Sequence, residues 1–243
     1  LFPFIGDSLG GSHKSAIDYA IELKKKKFDI KILLLKKNSI LAKYLKSKGL
    51  LYEFIDLPLI SLDRNILKKF VNILVGYFKA RRYLVKNKID IVHTNDIKNH
   101  FCWSVWSIFN SKHIWHQRTM WPKSIQFFIF IIFANKVLCN SNYLKKNINF
   151  NFIRKKSYYL PNIIYKRKNN FFKKNKKKLI IGSFSNIQNI KRPDILANLA
   201  DQIYKKKLNI EIHCYGTDKS HLLNKYLKSI YLKTFFKKFG QKI

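Results

Sequence analysis

Short apolar runs alternate with longer amphipathic segments along most of this sequence. Leu1–Ile5, Asp29–Leu35 and Asp90–Thr94 have the length and composition of buried strands, whereas Asn65–Lys88 repeats apolar residues at helical spacing. The apolar side of that helix is expected to carry Ile66, Phe70, Ile73, Leu74, Tyr77, Phe78 and Leu84. Largely apolar strands are covered on both faces, and their alternation with helices is typical of parallel sheets. The pattern therefore predicts an α/β fold with a doubly wound, Rossmann-like sheet.

The alternation is interrupted once, by a stretch dominated by Lys and Asn. Residues 165–178 show no helical period, which predicts a linker or an exposed hairpin arm. Residues 1–164 before it are long enough for one Rossmann-like domain. Strands and helices resume in residues 179–243, but a doubly wound domain needs more strands than this segment holds. We therefore expect a second, truncated Rossmann-like domain, in a sequence that is a fragment lacking its C-terminal part.

The net charge of +36 first suggests a nucleic-acid-binding protein. However, only seven of the 49 basic residues are Arg, the side chain that grips phosphates bidentately, and the lysines are spread along the whole chain. Lysine runs fall at predicted helix ends or in the linker. We therefore interpret the charge mainly as a solvated surface with no specific nucleic-acid role. An attraction to an anionic membrane surface is compatible with either interpretation.

Several absences narrow the function classes. The three cysteines are far apart, which favours a reducing compartment and no zinc site. Only three glutamates occur, and no D-x-D motif is present, so no metal is expected and a glycosidase carboxylate pair is hard to assemble. The longest apolar run, Ile125–Ala134, is about half of what a membrane span needs, and we expect it to form a buried helix.

Glycines follow the first predicted strand. Gly10, Gly11 and Ser12 lie where that strand turns into a helix, where the backbone can approach a ligand and the helix N-terminus attracts a phosphate. The spacing is not that of G-x-G-x-x-G, so a dinucleotide site is unsupported. The glycine pair predicts a phosphate or acceptor loop, with a structural turn as the equal alternative.

Two further groups of polar residues follow predicted strands. Asn95 and Asp96 come after Asp90–Thr94, and His116 and Arg118 come at the end of the next strand. Because ligands bind at the carboxyl ends of parallel strands, these residues are candidates for contact with a phosphorylated substrate. Asn95 or Asp96 could equally cap a helix, and His116 could be a loop histidine without a role.

The second predicted domain begins with a similar arrangement. Lys191 and Arg192 precede Pro193, a favoured first residue of a helix, so that two cations and a helix N-terminus come together. This arrangement predicts an anion site that suits a pyrophosphate. Gly216, after the next strand, is compatible with a ligand passing close by, although a plain turn explains it equally well.

Taken in order, these motifs resemble family 4 glycosyltransferases, a large family with the GT-B fold. The resemblance covers essentially the whole chain and rests on Gly10–Gly11, Asp90–His93, His116 with Arg118, Val137–Ser141, Leu160–Asn162, Gly182–Lys191 and Ile212–Gly216. No single motif is specific, but their order and spacing match the family. The sequence departs from it at Asn186, where the family has Arg, and at Ile163, where the family has Gly.

The resemblance implies two Rossmann-like domains facing a cleft. It implies transfer of a sugar from a UDP- or GDP-linked donor, with retention at the anomeric carbon and without a metal or other cofactor. His116 would be the catalytic-loop histidine. The donor nucleotide and pyrophosphate would contact Lys191, Arg192, Asn186, Gly216 and Arg118. The phosphate and acceptor loop would be Gly10, Gly11 and Ser12, with Asn95 and Asp96 on the acceptor side.

By family analogy, the acceptor would be a glycan or a lipid-linked sugar in the synthesis of cell-surface polysaccharide or lipopolysaccharide. The protein would work in the cytoplasm, or peripherally at the inner face of the cell membrane. The family's E-x(7)-E motif would lie beyond Ile243, so this fragment alone is expected to be inactive. Two other classes stay open: a degenerate GT-B protein that only binds, and a basic nucleic-acid-binding module.

Overall fold

The computed structural model describes residues 1–6, 9–58, 66–120, 130–148, 150–165, 179–185 and 189–215. The chain divides into two compact units, Leu1–Lys166 and Arg167–Ile243. Nearly all of the predicted linker lies outside the described residues. A helix expected at Ser220–Lys233 and a strand expected at Phe235–Phe239 also lie outside them, as does the first half of the apolar run Ile125–Ala134.

The first unit alternates strands and helices in the predicted order. Its strands are β1 (Phe2–Phe4), β2 (Ile32–Leu34), β3 (Glu53–Phe54), β4 (Ile91–Thr94), β5 (Lys112–Gln117), β6 (Lys136–Cys139) and β7 (Ser157–Tyr159). Its helices are α1 (Gly11–Lys25), α2 (Ile40–Ser47), α3 (Ile66–Lys86), α4 (Ile97–Trp106), α5 (Asn142–Lys146) and α6 (Asn151–Lys155). The α/β class is confirmed. The helices α5 and α6 were missed because segments this short do not reveal a helical period.

All strand pairs of this unit are parallel, in the orders β1-β2-β3 and β4-β5-β6-β7. The two sheets meet at β1 and β4, where the Leu1 nitrogen donates to the Ile91 carbonyl at 2.8 Å and the His93 N–H donates to the Leu1 carbonyl at 2.9 Å. That alternation is the bonding pattern of a parallel ladder. The strands therefore follow the order 3-2-1-4-5-6-7, which reverses between β1 and β4, and ligands bind at such a reversal.

The core lies on both faces of this sheet because β2 sends alternate side chains to opposite sides. Ile32 and Leu34 pack with α1 and α2, in a cluster that includes Phe4 and Ile17. On the other face, Leu33 packs in a cluster to which α3 and α4 contribute Ala80, Leu84, Trp103 and Trp106. The unit is thus covered on both faces, as apolar strands require.

The expected apolar side of α3 is partly wrong. Leu84 is buried, but Phe70, Leu74 and Phe78 are 59%, 42% and 63% exposed. The helix instead turns small residues toward the core: a Cβ added at Gly76 would lie less than 3.0 Å from three indole atoms of Trp106. Small residues let the helix axis approach the buried tryptophan, and the larger apolar side chains consequently face outward.

Gly76→Ala is expected to destabilise the first unit by about 2 kcal/mol, because the fully buried Trp106 ring cannot move aside. This overpacking cost outweighs the gain in helix propensity, which is about 1 kcal/mol. Urea unfolding of the two proteins measures the difference. Gly11→Ala is the matched control, since no atom lies within 4 Å of its added Cβ. A Gly76→Ala protein as stable as the parent would contradict the close α3–α4 contact.

The second unit begins with a parallel pair, β8 (Leu179–Phe184) and β9 (Ile210–Tyr215), connected through α7 (Pro193–Lys205). A short 3₁₀ turn, Asn189–Lys191, precedes α7. Ala197, Ala200 and Ile203 of the helix pack on Ile212 of β9. Within the described ranges of both units, no helix has the length and apolarity required to cross a bilayer.

Candidate active site

Arg118 is the centre of a polar cluster at the carboxyl end of β5. Its Nε and Nη2 donate to Asn95 Oδ1 at 3.3 and 3.0 Å, and Nη2 also donates to His116 Nδ1 at 3.2 Å. Its Nη1 donates to Ser15 Oγ at 2.9 Å and to Asn162 Oδ1. Every acceptor is neutral. Among the described residues, no carboxylate lies within 4.0 Å of the guanidinium.

The guanidinium is half-buried and keeps its charge. Burial lowers the pKa of Arg118 to about 10, an effect that the neighbouring Tyr19 partly opposes, so the side chain is still a cation at neutral pH. It also lies over the Tyr19 ring, 5.9 Å from the centroid. Neutral dipoles fix the position of this cation, and no carboxylate in the described part of the chain compensates its charge, which is the property of an anion-binding group.

His116 is fully buried beside Arg118, between the rings of Tyr19 at 5.6 Å and His93 at 5.5 Å. Since Arg118 can only donate, Nδ1 of His116 accepts and Nε2 carries the proton. Burial lowers the pKa of His116 to about 3, with a further contribution from Arg118, while the backbone of Leu160 opposes the shift. The structure thus shows a neutral imidazole that holds Arg118 in place.

A second chain of buried histidines supports the same strand end. Burial holds the pKa of His100 well below its ordinary value, its ring bonds to the His116 backbone, and its Nδ1 bonds to Thr94 Oγ1 at 2.6 Å. Thr94 Oγ1 also bonds to His113 Nε2 at 2.7 Å. This leaves Nδ1 of His113 buried without a hydrogen-bond partner among the described residues. The chain connects α4 and β4 to the backbone of β5 next to Arg118.

A small pocket of ≈ 120 Å³ brings several predicted site residues together. Ser12, Asn95, Asp96 and Arg118 all line it, although they follow three different strands. Asp96 is also the N-cap of α4, since its Oδ1 accepts from the Asn99 N–H at 2.9 Å. Asp96 is therefore a helix cap that also lines the pocket, and Asn95 lines the pocket and holds Arg118.

The glycine loop lies beside this pocket. Gly10 is the N-cap of α1 and Gly11 is its first residue, and neither has a positive φ angle. A Cβ added at Gly11 would meet no atom within 4 Å. The backbone conformation of this turn therefore does not require glycine, and the missing side chains leave open space next to the N-terminus of α1.

The second unit holds its own candidate pocket, of ≈ 270 Å³, between the end of β8 and the start of α7. Lys191 lines it together with Ser183 and Ser185. Arg192 also lines the pocket, but its guanidinium pairs with Asp194, at 2.7 Å for the shortest contact. Among the described residues, Lys191 shows no ion pair or hydrogen bond of its side chain, which makes it the more available cation for a ligand.

Two predicted site residues, Asn186 and Gly216, lie outside the described residues. Conversely, Ser15, Tyr19 and Asn162 belong to the Arg118 cluster and were not predicted as site residues. Ser15 and Tyr19 are polar residues four positions apart on the buried side of α1, and that spacing was a usable signal. Asn162 stood in the quoted motif Leu160–Asn162, but no role was assigned to it.

Comparison with known proteins finds similar structures but no similar sequence. No protein-family model and no curated protein matches the sequence. A TarM mutant of S. aureus, in complex with fondaparinux, α-GlcNAc-glycerol and UDP, matches with a TM-score of 0.68 at 11% identity, over 97% of this chain and 76% of that chain. The lipopolysaccharide outer core galactosyltransferase WaaB matches with a TM-score of 0.61 at 15% identity, over 97% and 66%. A glycosyltransferase from Rickettsia africae matches at 0.58 and 18%, over 94% and 70%.

These likenesses show the fold. The chain has the α/β fold of GT-B glycosyltransferases, which confirms the expected fold class. It spans between 66% and 76% of the length of these three proteins. A shared fold hosts different reactions, so the reaction has to be argued from the site.

Proposed function

We propose that the protein is a glycosyltransferase of family 4 that moves a sugar from a UDP- or GDP-linked donor to a glycan or lipid-linked acceptor. The observation that carries this proposal is the charge of Arg118, which among the described residues is held only by neutral acceptors, at the strand reversal of a GT-B sheet. Nucleoside diphosphates are anionic, and a fixed cation at the carboxyl edge of such a sheet is suited to bind them.

The proposed mechanism follows from the leaving group. A nucleoside diphosphate departs with growing negative charge, and preorganised cations and N–H dipoles lower the energy of that state. Lys191 and the N-terminus of α7 would meet the pyrophosphate in the second unit, while Arg118 serves an anionic group in the first. Lys191 and the N-terminus of α7 would supply the charge that a metal ion provides in D-x-D enzymes. Retention at the anomeric carbon is part of the proposal through the family resemblance.

The acceptor side is proposed in the first unit. Ser12, Asn95 and Asp96 line the Arg118 pocket and offer hydroxyl, amide and carboxylate groups to a sugar. His116 would act through Arg118, because the imidazole itself is buried. The similar fold of a lipopolysaccharide galactosyltransferase supports a cell-surface glycan or lipopolysaccharide as the product. A cytoplasmic site of action, where nucleotide sugars are made, is proposed with it.

The test is sugar transfer by the full-length protein from a panel of UDP- and GDP-sugars to extracted glycan and lipid-linked acceptors. We expect transfer from one donor class, and a loss of at least ~10-fold in kcat/KM for Arg118→Met, which removes the cation but keeps an extended side chain. Arg118→Lys should recover part of the activity. Arg154→Met is the matched control, because Arg154 bonds to the Ile148 carbonyl and lies outside the pocket.

Three other results would count against the proposal or one of its parts. Saturable UDP or GDP binding without transfer to any acceptor indicates a degenerate GT-B protein that only binds, as the Asn186 departure suggests. Full transfer activity in Arg118→Met contradicts the role of Arg118. Nucleic-acid binding with steep salt dependence, in the absence of nucleotide-sugar binding, would replace the proposal by the basic binding module.

A further inference from the structure

The outer face of α3 is an apolar surface that no part of the described structure covers. Its exposed members, called the α3 stripe from here on, are Leu67, Phe70, Val71, Leu74, Val75, Phe78 and Val85, each between 42% and 79% exposed. Single exposed apolar residues are ordinary on protein surfaces, whereas a contiguous group of this size marks a contact surface. We therefore expect a binding partner to cover the α3 stripe.

The stripe follows the period of the helix. At about 100° per residue, its central members fall within about 60° of one another around the axis. Ala80 faces the core on the opposite side, and the buried Leu84 lies between the two faces. The helix is consequently apolar on two faces. The inner face completes the core of the first unit, and packing inside that unit does not explain the outer face.

Cations accompany the α3 stripe. At about 100° per residue, Lys68, Lys79 and Lys86 follow one margin, whereas Arg81 and Arg82 lie within the stripe between Phe78 and Val85, all on exposed positions. The helix contains no acidic residue over its whole length, Ile66–Lys86. An apolar stripe with cations along one margin and at its C-terminal end is compatible with a helix that lies in the plane of an anionic membrane.

We propose that the α3 stripe docks the protein on the surface of an anionic lipid bilayer. The apolar side chains would enter the boundary between headgroups and acyl chains, and the neighbouring Arg and Lys would meet the anionic headgroups. This inference rests on α3 alone and is independent of the sugar-transfer proposal.

Charge favours a bilayer over a second copy of the chain. Two stripes facing each other would bring two sets of these cations together, on a protein that already carries a net charge of +36. Repulsion between the two sets opposes such a dimer, whereas an anionic surface attracts the cations. A bilayer also offers an apolar layer beneath the headgroups, which free polyanions do not have. The proposal thus explains both the apolar stripe and its cations.

The test is binding to vesicles of phosphatidylcholine with and without phosphatidylglycerol, measured by co-sedimentation with the full chain. The triple variant Val71→Ser, Leu74→Ser, Phe78→Ser should weaken binding to the mixed vesicles at least ~10-fold, at low and at high salt. Its matched control is Phe28→Ser, Leu51→Ser, Phe109→Ser, whose side chains are 59%, 87% and 95% exposed elsewhere on the same unit. The control should bind within about two-fold of the parent.

Charge is tested separately. Arg81→Gln, Arg82→Gln, Lys86→Gln should weaken binding roughly 10-fold or more at low salt, and less at high salt, where screening already removes this attraction. Lys24→Gln, Lys25→Gln, Lys26→Gln at the end of α1 is the control with equal charge loss. Circular dichroism checks that every variant is folded.

Three results would overturn the proposal. The first is an equal loss of binding in the α3 stripe variant and its exposed control. The second is an equal loss in the two charge variants, which would indicate that the lysine-rich surface binds as a whole. The third is a concentration-dependent dimer that the stripe variant abolishes while vesicle binding is unchanged, which would assign the stripe to a second copy.

Discussion

Lowering the pH from 7 to 5 is expected to lower the stability of the first unit by several kcal/mol. Burial lowers the pKa of His113 and of His116 to about 3 and holds the pKa of His93 and His100 well below its ordinary value. In the unfolded chain these imidazoles titrate near 6.5. Below that value the unfolded state binds more protons than the folded state, so protonation favours unfolding.

The direction and size follow from this linkage. The stabilising contribution of each histidine is fully present above about pH 6.5 and is lost as the pH falls toward 3. With a folded pKa of about 3, each histidine costs roughly 2 kcal/mol of unfolding free energy between pH 7 and 5. His113 and His116 together account for roughly 4 kcal/mol, and His93 and His100 shift in the same direction. That loss is comparable with the total stability of a typical domain, about 5–15 kcal/mol.

Urea unfolding at pH 7, 6 and 5 measures this loss, and His113→Gln tests its origin. Glutamine can still form a hydrogen bond with Thr94 Oγ1, as His113 does, but it takes up no proton. The variant should lose roughly 2 kcal/mol less than the parent between pH 7 and 5. Ile153→Val, in the core of the same unit, is a control that lowers stability without removing a titrating group. An equal pH dependence in parent and His113→Gln would show that His113 does not titrate as a buried neutral group.

The fold could be predicted largely from the sequence because several strands contain short apolar runs. β2 is apolar and buried at every position, and β4 begins with Ile91 and Val92, so both were recognisable without any partner. The face of α3 was predicted less well. Apolar residues occupy two sides of this helix, and periodicity alone does not say which side meets the core. The small residue Gly76 decides it, through a contact with Trp106 that is visible only in three dimensions.

The candidate site was likewise predictable only in part. Asn95, Asp96 and Arg118 could be predicted because they follow strands, and the ends of parallel strands share one edge. The contact between Ser15 and Asn162 could not be predicted, since these residues are 147 positions apart in the chain and meet only after folding. His116 was predicted from its place at a strand end, but strand position does not tell whether a side chain faces solvent or the core.

Removing the Lys191 ammonium is expected to lower sugar transfer by the full-length protein at least ~100-fold in kcat/KM. Lys191 ends the 3₁₀ turn before α7 and lines the ≈ 270 Å³ pocket with Ser183 and Ser185. In the proposed reaction this pocket holds the pyrophosphate of the donor. The negative charge of the pyrophosphate grows as its bond to the anomeric carbon of the sugar breaks. A cation next to the N-terminus of α7 stabilises that charge most strongly in the transition state, so its loss lowers the rate.

Three further variants separate the role of Lys191 from an effect of the overall charge of the unit. Lys205→Ala removes an equal charge from the far end of α7, where the side chain is 71% exposed and pairs with Asp201 at 2.8 Å, and it should leave transfer unchanged. Arg192→Ala should cost only a few-fold, because the Arg192 guanidinium is already paired with Asp194. Lys191→Arg, which keeps the charge, should retain more activity than Lys191→Ala. Unchanged turnover in Lys191→Ala would show that Lys191 does not bind the donor. Equal losses in Lys191→Ala and Lys205→Ala would show that the effect comes from the overall charge of the unit.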